Sequence, residues 1–293
     1  MPPYLIIVHR TTKRSEIEIS LGAFLYRSEP KGSPNLYSRG AFVLSVYIDN
    51  KLRKENEMIQ KNSKIIEFSN EIRRLGRQYG LNVVFTTFLE LMATSLASQT
   101  DPLNAEKRMK RYGEITADMP EELQGEYGKL CMMLFIAVNS CKEDPVDVLG
   151  TVYHELRLNN EWNGQYFTPD DVSRMMAMIT FGAQKDNLSE EDVFTVNEPT
   201  CGSGTMLIAM AWAMLQENRD YTSKCLCVAQ DIDIRCVWMA YIQLTLYRIP
   251  AVIMHWLNGM TIISAFTSSK TKMRPEMLRK RKDPPIYKSR RVA

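Results

Sequence analysis

The chain has 293 residues, of which 45% are hydrophobic and 24% are charged, and its net charge at neutral pH is +3. This length allows one large domain or two small ones, and the hydrophobic content suffices for a substantial core. No apolar run reaches the roughly 18 residues of a membrane span, and residues 1–8 lack the basic start and cleavage site of a signal peptide. The composition argues against membrane and secreted classes and predicts a cytoplasmic protein.

The cysteines and histidines indicate packing and not a metal site. Six cysteines and three histidines occur, but they form no zinc-binding spacing. Cys225 and Cys227 lie two apart in a predicted strand, so both thiols face one side of it. We therefore expect core filling, reduced thiols and no metal.

The first half of the chain is predicted to be mainly helical. Residues 1–57 form an N-terminal extension of uncertain structure, whose strand-like runs are 4–8, 17–26 and 41–48. Apolar residues at helical spacing predict a long helical stretch from Met58 to Ala97. With the helices that follow, it makes a helical domain over residues 58–160.

Residues 164–169 have the sequence Gly-Gln-Tyr-Phe-Thr-Pro and precede a predicted amphipathic helix. Thr168 suits the N-cap and Pro169 the first helical position, and two aspartates then place negative charge in the first turn. The apolar residues that repeat at helical spacing, and so predict the face toward the core, are Val172, Met175, Met176 and Ile179.

A strand, a glycine turn and a buried helix follow in order. The β-branched and aromatic run 193–196, the turn 201–204 and the apolar run 205–215 predict the first βα unit of a doubly wound α/β sheet. The turn does not match a dinucleotide fingerprint, a phosphate-binding P-loop or a nucleophile elbow. What remains is a ligand with an adenosine-like group and no phosphate, approached closely by Gly202 and Gly204.

A second strand is predicted over residues 225–229 and a third over residues 251–255. Asp231 follows the second strand, about 25–30 residues after the glycine turn, where an acid can accept from ribose hydroxyls. Asp233 is an alternative for the same role, and either aspartate could cap the helix predicted over residues 232–247.

Several of these segments resemble one family. The sequence Glu-Pro-Thr-Cys-Gly-Ser-Gly at 198–204 resembles the first motif of S-adenosylmethionine-dependent N6-adenine DNA methyltransferases. It is most similar to the modification subunits of type I restriction–modification systems and to methylase-like proteins of mobile elements. Residues 147–156 resemble the family's D-x-L-G-x-x-Y-E-x-L helix, 164–169 its G-Q-F-Y-T-P and 229–231 its G-Q-E. The resemblance covers residues 145–262.

The resemblance implies a Rossmann-like methyltransferase core over residues 161–262 that binds S-adenosylmethionine, complete or truncated after its third strand. It also implies that the preceding helical domain helps to grip DNA and partner subunits. Glu198 would meet the cofactor's α-amino group, which is cationic near neutral pH, and Asp231 would accept from the ribose. The cofactor contacts that the resemblance assigns are Phe167, Thr168, Glu198, Cys201, Gly202, Gly204 and Asp231.

The chain departs from the family at the catalytic motif. N6-adenine methyltransferases carry (N/D/S)-P-P-(Y/F/W), which holds the adenine amino group and stacks on the flipped base. No such tetrapeptide occurs here; the nearest string, 283–287, has Ile286 at the aromatic position. Residues 257–262 resemble the third motif, with Met260 where a polar residue is usual. No catalytic residue is therefore assigned.

Three functions remain open. The first is an adenine-specific DNA methyltransferase of restriction–modification type, or the cofactor half of one that another chain completes. The second is a catalytically inactive relative that binds S-adenosylmethionine and DNA as an accessory or regulatory protein of a mobile element. The third is a scaffold whose motif loops only fold the core.

The basic tail over residues 263–293 adds a charge argument for DNA. Residues 270–293 contain ten Lys and Arg residues against two acidic ones, and such a block can neutralise phosphates. A solvated terminus is the alternative. The residues that we predict as nucleic-acid contacts are Arg279, Lys280, Arg281 and Lys282.

The missing catalytic motif also implies a missing strand. In this family's fold the first strand lies inside the sheet, with the fourth strand on its far side. Because a strand edge left open invites pairing or incurs a cost when buried, we expect something to cover the edge of 193–196. The candidates are a strand from residues 1–50, best 41–48, the tail, or a second polypeptide.

Overall fold

The computed structural model describes residues 36–101, 104–117, 119–158, 167–189, 192–255 and 261–264. The chain divides into two compact units, Met1–Ile59 and Gln60–Ala293. The sheet and the buried core lie in the second unit, and the first described helix begins before it.

Five helices make up the first half of the described chain. They are α1 (Leu36–Tyr79), α2 (Leu81–Thr100), α3 (Ala105–Ala117), α4 (Glu121–Ser140) and α5 (Val148–Glu155). Gly80, with a φ of 87°, separates α1 from α2, because this left-handed conformation ends a helix and suits glycine. Asp147 caps α5 by accepting a hydrogen bond from the backbone N–H of Gly150.

The strand prediction for residues 41–48 is wrong, because these residues lie inside α1. The segment 36–79 contains no proline, so each added residue gains a backbone hydrogen bond once the helix has started, and the β-branched residues of 41–48 do not stop it. The helix consequently begins 22 residues before Met58. The runs 4–8 and 17–26 lie outside the described residues.

The second half alternates helices and strands. Its elements are α6 (Asp170–Lys185), β1 (Phe194–Glu198), α7 (Thr205–Gln216), α8 (Tyr221–Lys224), β2 (Cys225–Asp231), α9 (Ile234–Leu246), β3 (Ala251–His255) and β4 (Thr261–Ser264). The three predicted strands are confirmed to within two residues at each end, and the helix after the glycine turn to within one. β4 was not predicted.

The strands form one sheet in the order β1-β2-β3-β4. β1, β2 and β3 are parallel, and β4 is antiparallel to β3. Helices cross over between successive parallel strands, which confirms the Rossmann-like α/β core. Glu198 pairs in register with Ala229 and Asp231 with His255, so the carboxyl ends of all three parallel strands lie at one edge of the sheet.

The helices and the sheet share one hydrophobic core. Thr100 at the end of α2 and Tyr241 on α9 are joined by a hydrogen bond of 2.7 Å between their hydroxyls. The largest fully buried side chains come from both halves of the chain and include Phe68, Phe85, Phe88, Tyr153, Phe181 and Tyr241. The boundary between a helical and a cofactor domain near residue 160 stays a prediction.

Among the described helices, α2 is long and apolar enough to cross a membrane on length and composition. Eight of its side chains are buried in the core, including Phe85, Phe88 and Leu89. Packing within the chain therefore accounts for its apolar composition.

The cysteines lie mostly in the core. All six are free, and five are buried. The sulfur atoms of Cys225 and Cys227 are 3.7 Å apart on the same side of β2, as the core-filling interpretation requires. Within the described part of the chain, His, Cys, Asp and Glu form no cluster that could hold a metal ion.

Helix α6 buries the opposite face from the one predicted. Its core contacts are Ser173, Ala177 and Phe181, whereas Val172, Met175, Met176 and Ile179 are 40–65% exposed. The small side chains of Ser173 and Ala177 let α6 approach α7 closely, and shape therefore outweighs hydrophobic spacing. The helix also begins one residue later than predicted, because Pro169 and not Thr168 is the N-cap residue.

A charged cluster between α1 and α4 predicts a pH effect on stability. Hydrogen bonds from Arg74 and then Lys129 lower the pKa of Glu71 from 4.5 to about 2. A folded-state pKa below the unfolded value means that the stabilisation is complete above about pH 4.5 and is lost as the pH falls toward 2.

We expect Glu71→Gln to lower the free energy of unfolding at pH 7 by about 1 kcal/mol or less, because the pairs are partly exposed. The difference from the unsubstituted protein should shrink between pH 5 and pH 2. Urea unfolding across this range measures it, with Glu143→Gln, in an exposed turn, as the control. A constant difference over the whole range would contradict the assignment.

Candidate cofactor site

The glycine turn between β1 and α7 is tied to the neighbouring strand. The backbone N–H of Cys201 donates to the carbonyl oxygen of Gln230 in β2 at 2.8 Å, and that of Gly204 donates to the carbonyl of Cys201 at 2.8 Å. Gly202 has a φ of 54° and Gly204 a φ of 98°. The turn therefore has a defined left-handed shape at both glycines.

Both glycines also allow close packing. A Cβ atom at Gly202 would lie 3.0 Å from Cδ1 of Phe167, and one at Gly204 would lie 3.4 Å from Cα of Ala240 in α9. The first separation is shorter than ordinary van der Waals contact. Position 202 thus requires glycine for two reasons: its φ is positive, and the ring of Phe167 leaves no room for a Cβ atom.

Asp231, at the end of β2, is bound to the glycine turn. Its Oδ2 atom accepts from the backbone N–H of Gly202 at 2.9 Å, and its Oδ1 atom accepts from that of Asp233 at 2.9 Å. Each carboxylate oxygen has a second lone pair, so a ligand hydroxyl can still be accepted. The half-buried side chain lies where the turn and the strand end meet.

Asp233 is used differently. It caps α9 by accepting from the backbone N–H of Arg235 at 2.8 Å, and it forms an ion pair with the Arg235 guanidinium at 2.7 Å. Of the two aspartates that the sequence offered as helix caps, Asp233 takes that role, and the ribose contact of Asp231 stays a prediction. Asp231 contacts the turn, and Asp233 begins the helix.

Glu198 ends β1 beside Asp231. Its Oε1 atom accepts from the backbone N–H of Thr200 at 3.2 Å and from the Thr200 hydroxyl at 3.4 Å, so it also acts as a turn acid. The side chain is partly exposed. Two carboxylates consequently meet solvent at the carboxyl ends of adjacent parallel strands, where ligands of open α/β sheets bind.

Phe167 forms a wall of the site. Its ring stacks on Tyr153 at a centroid distance of 5.4 Å and meets His154 edge-on at 4.9 Å. Its backbone N–H donates to Nε2 of His154 at 3.3 Å. Thr168 follows and is half-buried. Tyr153 and His154 were missed as supports of the site, although both lie in the upstream segment that resembles the family.

Cys201 is a buried, neutral member of the turn. Burial raises the pKa of its thiol well above the usual range, and the nearby carboxylates of Asp231 and Glu198 raise it further. The thiolate needed for nucleophilic attack is therefore disfavoured. The role left to Cys201 is packing beneath the turn.

Some predicted site features are not described by the structure. Residues 164–166, residues 257–260 of the third motif, and Arg279, Lys280, Arg281 and Lys282 lie outside the described residues. Among the described strands, β1 pairs only with β2, while β4 pairs with the far strand β3. The prediction that a strand at residues 41–48 covers the edge of β1 is therefore wrong.

The motifs, the parallel strands and the carboxylates at their ends have a counterpart among known families. Residues 145–276 match the family model of the N-6 DNA methylases. This match confirms the resemblance predicted from the three sequence motifs. The segment that matches the methylases contains every cofactor-contact residue predicted above.

Two solved structures are similar to the chain over part of its length. A Listeria monocytogenes protein described as a class I S-adenosylmethionine-dependent methyltransferase has 14% identity and a TM-score of 0.38, covering 67% of this chain and 53% of its own. The methyltransferase subunit of a type I restriction–modification system from Streptococcus thermophilus has 14% identity and a TM-score of 0.32, covering 66% and 57%. The chain thus spans little more than half of either protein. No curated protein matches the chain.

Proposed function

We propose that the methylase-matching segment binds S-adenosylmethionine at the glycine turn. The observation that carries the proposal is the Asp231 carboxylate, held against the Gly202 amide at the carboxyl end of β2. An acid in this place suits ribose hydroxyls, and a turn without phosphate-binding features suits a nucleoside that carries no phosphate.

The residues present fit this cofactor. Glu198 supplies a negative charge for the α-ammonium group, and Asp231 accepts from the ribose. Gly202 keeps the backbone accessible beside Phe167, where a Cβ would fill the space. When bound, S-adenosylmethionine would supply an activated methyl group.

Calorimetric titration of the purified chain tests this proposal. We expect saturable binding of S-adenosylmethionine and of S-adenosylhomocysteine, and no comparable binding of ATP, because the turn lacks the lysine and amide pattern that holds phosphates. A folded protein that takes up neither sulfur compound at millimolar concentration would overturn it.

We further propose that the segment serves adenine methylation of DNA in a restriction–modification context. The family match supports this substrate class. Because the tetrapeptide is missing from this sequence, the proposal includes a second polypeptide that supplies the group holding the flipped adenine. Incubation of the chain alone with DNA and methyl-labelled cofactor should give no labelled DNA. Label on adenine N6 would show instead that the chain transfers the methyl group without a partner.

An accessory protein that binds the cofactor and DNA without transferring methyl groups is the second candidate function. The absence of the tetrapeptide from the sequence favours it. The two candidates differ in the effect of the partner: a completed enzyme transfers label once the partner is added, and an accessory protein does not.

The edge of β1 carries a separate prediction about the partner. Backbone groups of Phe194–Glu198 that do not bond to β2 have no strand beside them among the described residues. We expect their amide hydrogens to exchange rapidly in the monomeric chain and slowly once a partner strand pairs there. Slow exchange in a verified monomer, lost on deletion of residues 1–35, which precede α1, would indicate a cover from within the chain.

The basic tail predicts salt-dependent DNA binding. If residues 270–293 neutralise phosphates, affinity for duplex DNA should fall steeply with salt. Their deletion should then reduce the slope of log affinity against log salt by about 0.9 for each phosphate that the tail neutralises. Fluorescence anisotropy at several salt concentrations measures it. An unchanged slope after deletion would show that the tail does not contact DNA phosphates and is a solvated terminus.

A further inference from the structure

A buried carboxylate contacts the end of the glycine turn that leads into α7. Asp147 is 6% exposed and stands immediately before α5. Its Oδ2 atom accepts from the hydroxyls of Ser203 and Thr205, the latter at 2.5 Å, and Ser203 is itself fully buried. One carboxylate oxygen therefore binds both hydroxyl side chains at the junction of the turn and α7.

The second oxygen completes a network of four donors. Oδ1 of Asp147 accepts from the backbone N–H of Gly150 at 2.7 Å and from Nε2 of Gln243 at 2.8 Å. The same Gln243 nitrogen donates to the carbonyl oxygen of Ser203 at 2.9 Å, and Oε1 of Gln243 accepts from the backbone N–H of Leu149 at 2.9 Å. Every hydrogen-bonding group of the Gln243 side chain is thus used.

The close approach of α5 to the turn depends on a glycine. A Cβ atom at Gly150 would overlap Oδ2 of Asp147 and lie 2.5 Å from Oγ of Ser203. In the described part of the chain, the groups that hydrogen-bond to Asp147 are all uncharged. Burying a carboxylate among neutral donors is costly, and it is tolerated only where those donors are fixed.

We propose that Asp147 is a positioning residue, which holds the glycine turn in its ligand-ready shape through Ser203 and Gln243. Two residues of this turn have positive φ, and an unsupported glycine-rich loop would sample many shapes. Asp231 fixes the turn from β2 through Gly202, and Asp147 fixes it from α5 through Ser203. Binding then requires little further ordering, which raises affinity.

The inference rests on the proposed cofactor, and substitutions that separate hydrogen bonding from charge and volume test it. Asp147→Ala removes the acceptor of all four hydrogen bonds, and Asp147→Leu keeps the side-chain size without it. Asp147→Asn keeps Oδ1 as acceptor, and its amide group can donate to the Ser203 and Thr205 hydroxyls, which can turn to accept.

We expect Asp147→Ala and Asp147→Leu to weaken S-adenosylmethionine binding about tenfold or more, by analogy with the loss of residues that orient the ligands of bound metals. Asp147→Asn should recover most of the affinity. Ser203→Ala should weaken binding in the same direction. Ser69→Ala is the matched control, because Ser69 is equally buried but its hydroxyl has no hydrogen-bond partner within the described residues.

Calorimetry gives the affinities, urea unfolding gives the stabilities, and hydrogen exchange of the amides at 202–204 in the ligand-free protein gives the order of the turn. Positioning is supported if a variant binds more weakly and its amides at 202–204 exchange faster than in the unsubstituted protein, while its amides in α4 exchange at the unsubstituted rate. If the unsubstituted protein does not bind the cofactor, the proposed function fails. If it binds and the folded variants bind equally well, only this inference is overturned.

If Asp147→Ala or Asp147→Leu does not fold, Ser203→Ala and Asp147→Asn still test whether Asp147 positions the turn. Ser203→Ala deletes a single hydroxyl. Weaker binding by folded Ser203→Ala, with Ser69→Ala and Asp147→Asn close to the unsubstituted protein, supports the inference. Unchanged binding by Ser203→Ala, or a loss in Asp147→Asn as large as that in Ser203→Ala, overturns it.

Discussion

We expect Gly202→Val to abolish S-adenosylmethionine binding. The residue has a φ of 54°, and its Cβ would lie 3.0 Å from the ring of Phe167, so valine must either displace that ring or change the turn. A β-branched residue at positive φ costs about 1–3 kcal/mol, and either movement closes the space that the proposed cofactor requires. Calorimetric titration at millimolar cofactor should show no binding heat.

The same substitution in an exposed helix separates this effect from general damage. Gly113 lies in α3, and a Cβ there meets no atom within 4 Å. Gly113→Val should therefore fold and bind the cofactor normally. Normal binding by a folded Gly202→Val protein would show that the ligand does not use this turn.

The second large effect is expected for Asp231→Ala. The substitution removes the acceptor proposed for the ribose and also releases the backbone N–H groups of Gly202 and Asp233. A lost hydrogen bond to a charged group is worth about 1.5–3 kcal/mol, which corresponds to an affinity lower by about 10- to 150-fold. Titration with S-adenosylhomocysteine measures the loss.

Asp233→Ala provides the comparison for Asp231→Ala. Asp233 caps α9 and pairs with Arg235, so its removal should lower the free energy of unfolding by about 1 kcal/mol and leave affinity within about threefold. If Asp233→Ala loses more affinity than Asp231→Ala, the two aspartates have the reverse roles.

The sequence predicted the second half of the fold well. Residues 193–196, 225–229 and 251–255 are short apolar runs bounded by turn residues, and each became a parallel strand within two residues of the predicted bounds. β2 and β3 are mostly buried on both faces, which is the setting in which such apolar runs occur, whereas β1 exposes Thr195 and Asn197. The sequence also predicted the glycine turn and α7. Glycine is the residue that suits a positive φ, and Gly204 has one directly before the apolar helix begins.

The errors arose where local pattern and packing disagree. Residues 41–48 have strand propensity, but they continue a helix that no proline interrupts. In α6 the residues with helical spacing, such as Met175 and Ile179, face solvent, because Ser173 and Ala177 fit closer to α7. Hydrophobicity marks an amphipathic helix, but the size of the side chains decides which side is buried.

The candidate site was predictable only where a motif marks it. Gly202, Glu198 and Asp231 were found because their spacing and their resemblance to a family both indicate a ligand. The network around Asp147 and Gln243 joins residues 96 positions apart. Neither residue carries a local pattern that indicates the contact, so only the folded arrangement identifies it.

The contacts of α5 with the glycine turn have a consequence for how this protein can be divided. Asp147 and Tyr153 both precede residue 161, yet one reaches Ser203 and the other stacks on Phe167. A recombination event or an expressed fragment that begins at residue 161 would carry the sheet and the motif but neither of these supports. The smallest heritable module for the proposed ligand site therefore begins no later than residue 147.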